Sequence, residues 1–279
     1  MNPELLGVLF GLASAASWGA GDFSGGVATR RCHVIGVVVV SQVVGLGLLL
    51  VLALLLGEPL PATVDLLWGA AAGLAGGLGL AALYRGLAVG RMGVVAPVNA
   101  VLSAAVPVLF GALVEGLPAA RQLLGFGLAL VAVWLVSRSG DGTRLRLRDL
   151  GLPVLAGLGF GTFLIVIGQV SETAILWPLI AARAASITLL VGVAIARRRP
   201  LPAAGQLPLV ALVGLFDTGG NAFYALAAQA GRLDTAVVLS SLFPAATVLL
   251  ARILLKEELS LLQWVGVTLA LAAVLLIAS

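Results

Sequence analysis

The sequence predicts an all-α polytopic membrane protein with ten transmembrane helices, arranged as two inverted repeats of five helices each. The first observation behind this prediction is composition: hydrophobic residues make up 61% of the chain and charged residues only 10%, against about 25% charged in a typical soluble domain. A soluble fold of 279 residues has too little interior to hide that much apolar surface, so most of the chain must face lipid. The second observation is that the two halves of the chain resemble each other.

Charge-poor segments follow one another with short breaks, and each is close to the length of about 20 residues that crosses a bilayer. The first apolar segment has no basic residue before it, so we interpret it as a retained helix and not as a cleaved signal peptide. Glycines recur inside the segments, which is typical of membrane helices that pack closely. The predicted helices cover residues 5–28, 34–56, 66–89, 93–114, 119–137, 150–170, 173–196, 207–230, 234–254 and 259–278.

One connector, residues 137–149 (SRSGDGTRLRLRD), is long and strongly charged, and it divides the chain almost in half. A shift of 141 residues brings the halves into register, so that Gln122–Leu135 lies over Gln263–Leu276 with identity at eight of fourteen positions. Matches this frequent between separate segments indicate an internal repeat. We therefore predict three regions: a first five-helix repeat over residues 1–137, a charged cytoplasmic connector over 138–149 and a second five-helix repeat over 150–279.

An odd number of spans in each repeat makes the second repeat enter the membrane from the opposite side, so the repeats are inverted. Twelve Lys and Arg residues lie in loops that follow the odd-numbered helices, whereas only Arg121 and Arg232 lie in the loops on the other side. Because basic loops stay in the cytoplasm, we expect both termini outside it, in a bacterial-type inner (plasma) membrane. Inverted repeats are typical of alternating-access carriers, whose substrate site lies near the midplane between the repeats.

Three ionisable residues fall well inside the predicted spans: Asp22, Arg183 and Asp217. A charge at the centre of a membrane helix costs about 2.5–3.5 kcal/mol, so such a residue usually has a partner or a wet cavity. One interpretation makes Arg183 a binding point for a carboxylate or phosphate, because its planar guanidinium suits those groups. The other makes it half of a structural ion pair with Asp217 or Asp22, and these groups are also candidate proton sites.

Polar and aromatic residues accompany these three positions. Arg183 corresponds to Gln42 under the 141-residue shift, which suggests an inward-facing polar position in both repeats. Such residues often only join helices, by hydrogen bonds of about 0.6 kcal/mol each. Together they favour a hydrated central cavity, while helices five and ten, with only Thr268 near the centre, should pack at the periphery. The predicted substrate pathway comprises Trp18, Gln42, Tyr84, Asn99, Arg183, Asp217, Asn221 and Tyr224.

Other classes of function find little support. The chain has no HExxH, no GxSxG and no aspartate-rich metal motif, so an intramembrane enzyme is only a minor alternative. Cys32 stands alone, which excludes an internal disulfide, and with His33 it makes too small a cluster for a structural metal. The basic residues lie in loops that orient helices, so we expect no nucleic-acid partner. We expect no metal and no cofactor; the expected partners are a small-molecule substrate and membrane lipid, with a homo-oligomer left open.

The stretch from Gly231 to Ile277 resembles the EamA domain of the drug/metabolite transporter superfamily. Two departures lie in the first half, where Gln42 replaces the expected arginine and Ser103 replaces the proline equivalent to Pro244. The residues that carry the resemblance are Pro244 in helix nine, the Glu257–Leu259 turn with Ser260, Gly266 in helix ten, Arg183 in the second helix of its repeat and the first-helix pair Trp18-Gly19.

The resemblance implies ten helices, inverted repeats, alternating access and export of amino acids or other small metabolites. We therefore expect a secondary transporter that moves small polar metabolites through a central cavity, with amino-acid efflux as the leading expectation. The alternative within transport is an uptake or exchange carrier for sugars or nucleotide-linked compounds.

Overall fold

A computed structural model describes residues 3–114, 120–136, 150–171, 175–230, 236 and 239–278. Within these residues the chain forms ten α-helices and no β-strand, with a short 3₁₀ turn at Ala204–Gln206 before the eighth helix. The helices are α1 (Pro3–Arg31), α2 (Val34–Leu56), α3 (Thr63–Val89), α4 (Met92–Val114), α5 (Ala120–Val136), α6 (Gly151–Ile167), α7 (Leu176–Ala196), α8 (Leu207–Ala230), α9 (Phe243–Leu254) and α10 (Leu261–Ala278).

The predicted ninth helix, 234–254, is interrupted in the structure, and its predicted start lies outside the described residues. The structure has helical backbone at residues 239–240, a turn at residues 241–242, and a helix that begins at Phe243. Pro244 lies in the first turn of that helix, where its missing N–H is tolerated and its ring would obstruct a helix continuing from upstream. Residues 231–235, 237 and 238 lie outside the described residues.

Six of the described helices, α1–α4, α7 and α8, are long and apolar enough to cross a membrane. The other four are also apolar but shorter, and they cover Ala120–Ala132, Gly151–Ile167, Phe243–Leu254 and Leu261–Leu276. Leucine and isoleucine side chains remain exposed along them, among them Leu130, Leu155 and Ile253. An outer surface made of such side chains suits lipid and not water.

Glycines let the helices of the two halves approach closely. A Cβ atom at Gly73 in α3 would lie 2.0 Å from the carbonyl oxygen of Ala182 in α7. A Cβ atom at Gly214 in α8 would lie 2.3 Å from the carbonyl oxygen of Ser41 in α2. Both distances are far below a van der Waals contact, so only glycine fits at either position. The two contacts correspond residue for residue under the 141-residue shift, which makes the packing of the halves symmetric.

The helix pairing repeats this symmetry. α1 packs against α8 and α3 packs against α6, while α2 and α7 pack against each other. Ser14 donates to the carbonyl of Gly220 and Ser17 donates to the carbonyl of Phe216, so α1 and α8 run antiparallel. α5 and α10 pack against each other and against α4, away from the α1–α8 and α3–α6 pairs.

The basic residues collect at one end of the bundle, which we call the arginine-rich end. Arg30 lies in the last turn of α1, and its Nη2 atom is 3.8 Å from Oε1 of Glu257, in the turn before α10. Arg91 precedes α4 and donates to the backbone carbonyl of Glu258 in the same turn. A Cβ atom at Gly36, near the start of α2, would lie 2.8 Å from the carbonyl of Pro200, which follows Arg197–Arg199.

Candidate functional site

Arg183, in the middle of α7, joins side chains from both halves of the chain. Its Nη1 atom donates to Oε1 of Gln42 in α2 at 2.7 Å, and its Nη2 atom donates to Oδ2 of Asp217 in α8 at 2.6 Å. The side chain of Arg183 is 10% exposed and that of Asp217 is 27% exposed. The guanidinium is therefore paired, yet the carboxylate keeps access to open space. A guanidinium has five N–H donors, so this one has capacity beyond the two bonds.

Asp22 adds a second carboxylate beside this pair. A Cβ atom at the preceding residue, Gly21, would lie 3.3 Å from the backbone nitrogen of Asp217, so α1 passes close to α8 at this level. Asp22 is half-buried and repels Asp217 electrostatically. Within the described part of the chain it forms no hydrogen bond or ion pair. The site thus holds one guanidinium and two carboxylates.

Aromatic and amide groups surround the backbone of Asp217. Trp18 donates from its indole nitrogen to the carbonyl oxygen of Asp217 at 3.1 Å, and Asn221 donates to the same oxygen at 3.0 Å. The Trp18 ring stacks against Tyr224 with centroids 6.1 Å apart and meets the edge of Phe243 at 6.2 Å. These contacts fix the part of α8 that carries the carboxylate.

Tyr84 and Asn99 form no described hydrogen bond to the guanidinium, although Tyr84 lies near enough to Arg183 and Asp217 to interact with their charges. Tyr84 is 1% exposed, and its ring fills the space beside Gly25, where a Cβ atom would lie 2.5 Å from it. Asn99 is 1% exposed in α4, and its backbone carbonyl accepts from Ser103 at 2.8 Å. Of the eight residues predicted for the pathway, six meet around Arg183 and Asp217; among the contacts described for Tyr84 and Asn99, none is a hydrogen bond to that cluster.

Thr218 is a neighbour of the site that the sequence did not single out. A Cβ atom at Gly45 in α2 would lie 2.4 Å from Oγ1 of Thr218 and 2.8 Å from Nη1 of Arg183, so the hydroxyl and the guanidinium border the same glycine. The Thr218 hydroxyl is fully buried and has no partner among the described residues. The sequence could have indicated Thr218 by its position directly after Asp217, because two adjacent polar residues within an apolar helix are unusual.

Two carboxylates of the α2–α3 region were also missed. Glu58 accepts from the backbone nitrogens of Ile175 and Leu176 at 3.0 and 2.9 Å, which caps the start of α7. Asp65 accepts from the backbone nitrogen of Ser171 at 2.9 Å. The preference of carboxylates for helix N-termini explains the first contact, but the sequence does not reveal which helix start lies nearby. Both contacts join the first half of the chain to the second.

Among the described residues, no group of three or more His, Cys, Asp or Glu side chains lies close enough to hold a metal ion. The arrangement can instead bind polar groups of either sign, because it combines N–H donors with an unpaired carboxylate in an apolar surrounding. Such groups bind more strongly in a site of low dielectric than in water.

A family model described as the EamA-like transporter family matches residues 5–138 and, a second time, residues 150–279. No curated protein matches the chain. A solved crystal structure of a protein that is 17% identical aligns with a TM-score of 0.59, over 97% of this chain and 95% of its own. At that identity the likeness is one of fold.

Proposed function

The chain belongs to the EamA-like transporter family, and so to the drug/metabolite transporter superfamily; from that premise we propose that this multi-pass membrane transporter carries amino acids by alternating access. The observation that carries the proposal is the cluster of Arg183, Gln42 and Asp217 between the two repeats. Polar groups placed there in an apolar bundle are costly unless they are paired or serve a substrate.

The position of the cluster supports a carrier. Gln42 and Arg183 are 141 residues apart, and they hydrogen-bond to each other. When two repeats are related by a two-fold axis, equivalent residues touch only close to that axis. The repeat interface near the midplane is where inverted-repeat carriers bind substrate. The antiparallel pairing of α1 with α8 and the symmetric glycine contacts agree with ten spans in two inverted repeats.

The charges of the cluster support an amino acid as substrate. Asp22 has no ion-pair partner in the described residues and suits an ammonium group. The neutral amide of Gln42 is the weaker of the two partners of Arg183, because a membrane hydrogen bond of this kind contributes only about 0.6 kcal/mol. A substrate carboxylate displaces Gln42 from the guanidinium, while Asp217 keeps its pair. A zwitterion therefore binds Asp22 through its ammonium group and Arg183 through its carboxylate at the same time.

We propose efflux from the cytoplasm across a bacterial-type inner membrane. The arginine-rich end then faces the cytoplasm and both termini lie outside, in accordance with the rule that basic loops stay inside. Asp22 and Asp217 are the candidate proton sites for coupling, because each is a carboxylate with some access to open space.

The test is counterflow in proteoliposomes. Purified protein is reconstituted in vesicles loaded with one unlabelled amino acid, and entry of the same labelled amino acid is followed over a panel, with and without a pH gradient. We expect saturable entry that Arg183→Lys weakens in affinity, since lysine keeps the charge but loses the planar fork. Thr188→Val, a change at an exposed position of the same helix, is the control and should transport normally. The proposal would be rejected if, for every amino acid, the labelled compound entered no faster than it enters vesicles without protein.

A further inference from the structure

Glu257, in the turn between α9 and α10, binds the opposite repeat at the arginine-rich end. Its Oε1 atom accepts from the backbone nitrogen of Met92 at 3.1 Å, and its Oε2 atom accepts from that of Gly93 at 3.2 Å. Arg30, at the end of α1, lies 3.8 Å from the same carboxylate. A carboxylate at a helix N-terminus satisfies free N–H groups and interacts favourably with the helix dipole. We call this set, Glu257 with Met92, Gly93 and Arg30, the Glu257 latch.

The latch lies where the bundle is most tightly packed. Every residue of α4 from Met92 to Val101 is buried. A Cβ atom at Gly26 in α1 would lie 2.7 Å from Leu87 of α3 and from Met92, so α1, α3 and α4 are closed against each other at this end. Leu259, two residues after Glu257, packs against Gly93 in the same way.

At the opposite end of the bundle, parts of α6 and α8 are packed more loosely. Of the described residues of α6 and its following turn, none after Gly161 is buried. Residues 221–225 of α8 span more than one helical turn, and all of them are half-buried. The α3–α7 side of that end is joined instead, because Glu58 and Asp65 of the first repeat accept from backbone nitrogens of the second. The looser packing is therefore confined to α6 and α8.

The 141-residue shift does not place a glutamate opposite Glu257. Under this shift Glu257 corresponds to Gly116 and Met92 corresponds to Leu233, both of which lie outside the described residues. The nearest carboxylate of the first repeat, Glu115, is one position away from that register. The Glu257 latch is therefore described at the arginine-rich end alone.

We propose that the Glu257 latch holds the arginine-rich end closed, and that its release opens the central cavity at that end. The latch adds stability to the state that is closed at this end. This gives the turn that carries Glu257 a part in the conformational cycle.

The test measures opening without any substrate, so it stays decisive if the proposed amino-acid transport fails. Val94, 2% exposed next to the latch, is replaced by cysteine in a Cys32→Ser background, and its labelling rate with a hydrophilic maleimide is measured. We expect Glu257→Gln to label about fivefold faster, the factor that corresponds to loss of a typical helix cap. Glu258→Gln is the matched control, because that neighbour is exposed and its side chain makes no contact described for this part of the chain.

A second variant guards against misfolding. Glu257→Asp keeps the charge and shortens the side chain by one methylene. It therefore weakens the contacts with both backbone N–H groups while the turn still carries a carboxylate. It should label at a rate between those of Glu257→Gln and Glu258→Gln. Labelling of the folded Glu257 variants at the rate of Glu258→Gln would overturn the latch.

Discussion

Nη2 of Arg183 lies 2.6 Å from Oδ2 of Asp217, and the two residues belong to α7 and α8, which are consecutive helices of the second repeat. Removing either partner leaves the other charge unpaired within the bundle, which costs about 2.5–3.5 kcal/mol on membrane insertion scales. Removing both leaves no stranded charge. The pair therefore couples folding to the proposed binding site.

A double-mutant comparison tests this coupling. We expect Arg183→Leu to reduce the folded yield and to abolish transport, and Arg183→Leu with Asp217→Leu to recover much of the yield without recovering transport. Folded yield is measured by size-exclusion chromatography in detergent, beside the transport rate. Normal yield and full transport by Arg183→Leu alone would contradict both roles of the arginine.

The close approach of α3 to α7 makes Gly73 intolerant of any side chain. A Cβ atom there would lie 2.0 Å from the backbone oxygen of Ala182, and backbone cannot move aside as a flexible side chain can. Gly73→Ala should therefore lower the melting temperature of the solubilised protein by several degrees, corresponding to about 1–3 kcal/mol of overpacking. Gly47→Ala in α2 is the control, since nothing lies within 4 Å of its Cβ position. Equal melting temperatures for the two variants would refute the close approach.

Gln42 occupies a position where the resemblance to the EamA domain leads us to expect an arginine. Gln42 now accepts a 2.7 Å hydrogen bond from Arg183. An arginine at position 42 would bring a second guanidinium close to that of Arg183, and two like charges so close repel strongly. Gln42→Arg should therefore reduce folded yield and transport, whereas Gln42→Glu, which offers a second carboxylate, should keep the yield. A Gln42→Arg variant that folds and transports like the unaltered protein would show that the site tolerates both charges.

His33 makes stability depend on pH at the arginine-rich end. Its Nδ1 atom accepts from the backbone nitrogen of Ile35 at 3.3 Å, at the start of α2. Desolvation, with the charges of Arg199 and Arg85, lowers the pKa of His33 from its ordinary value of 6.5. The unfolded state therefore binds a proton first as the pH falls, so stability is full above about pH 6.5 and decreases as the pH falls toward the folded pKa.

The measurement is the melting temperature of the solubilised protein between about pH 7.5 and pH 5, the range in which histidine titrates. His33→Asn keeps a side-chain acceptor at the helix start but does not titrate, so its curve should be flatter over this window. Parallel curves for the two proteins would mean that His33 does not contribute to the pH dependence.

Much of this architecture follows from patterns that act locally. The 141-residue repeat, the helix positions and the polar residues inside apolar segments all follow from hydrophobicity and from the cost of charge in lipid. The turn at residues 241–242 was not predicted because an apolar run does not reveal where a helix is interrupted before a proline. The acceptors that cap other helices, Glu58 and Glu257, were not assigned because capping across repeats depends on which helix ends meet in space. The pairing of Arg183 with Gln42 is of the same kind.

The most direct test of the central claim asks whether the cluster recognises both charges of an amino acid. In the counterflow assay, a transported amino acid is competed with its N-acetyl derivative and with its amide. We expect each derivative to compete at least about tenfold less well, because each loses a hydrogen bond between charged groups. Asp22→Asn should remove the discrimination against the N-acetyl form only. Competition by both derivatives at the level of the parent amino acid would contradict the account.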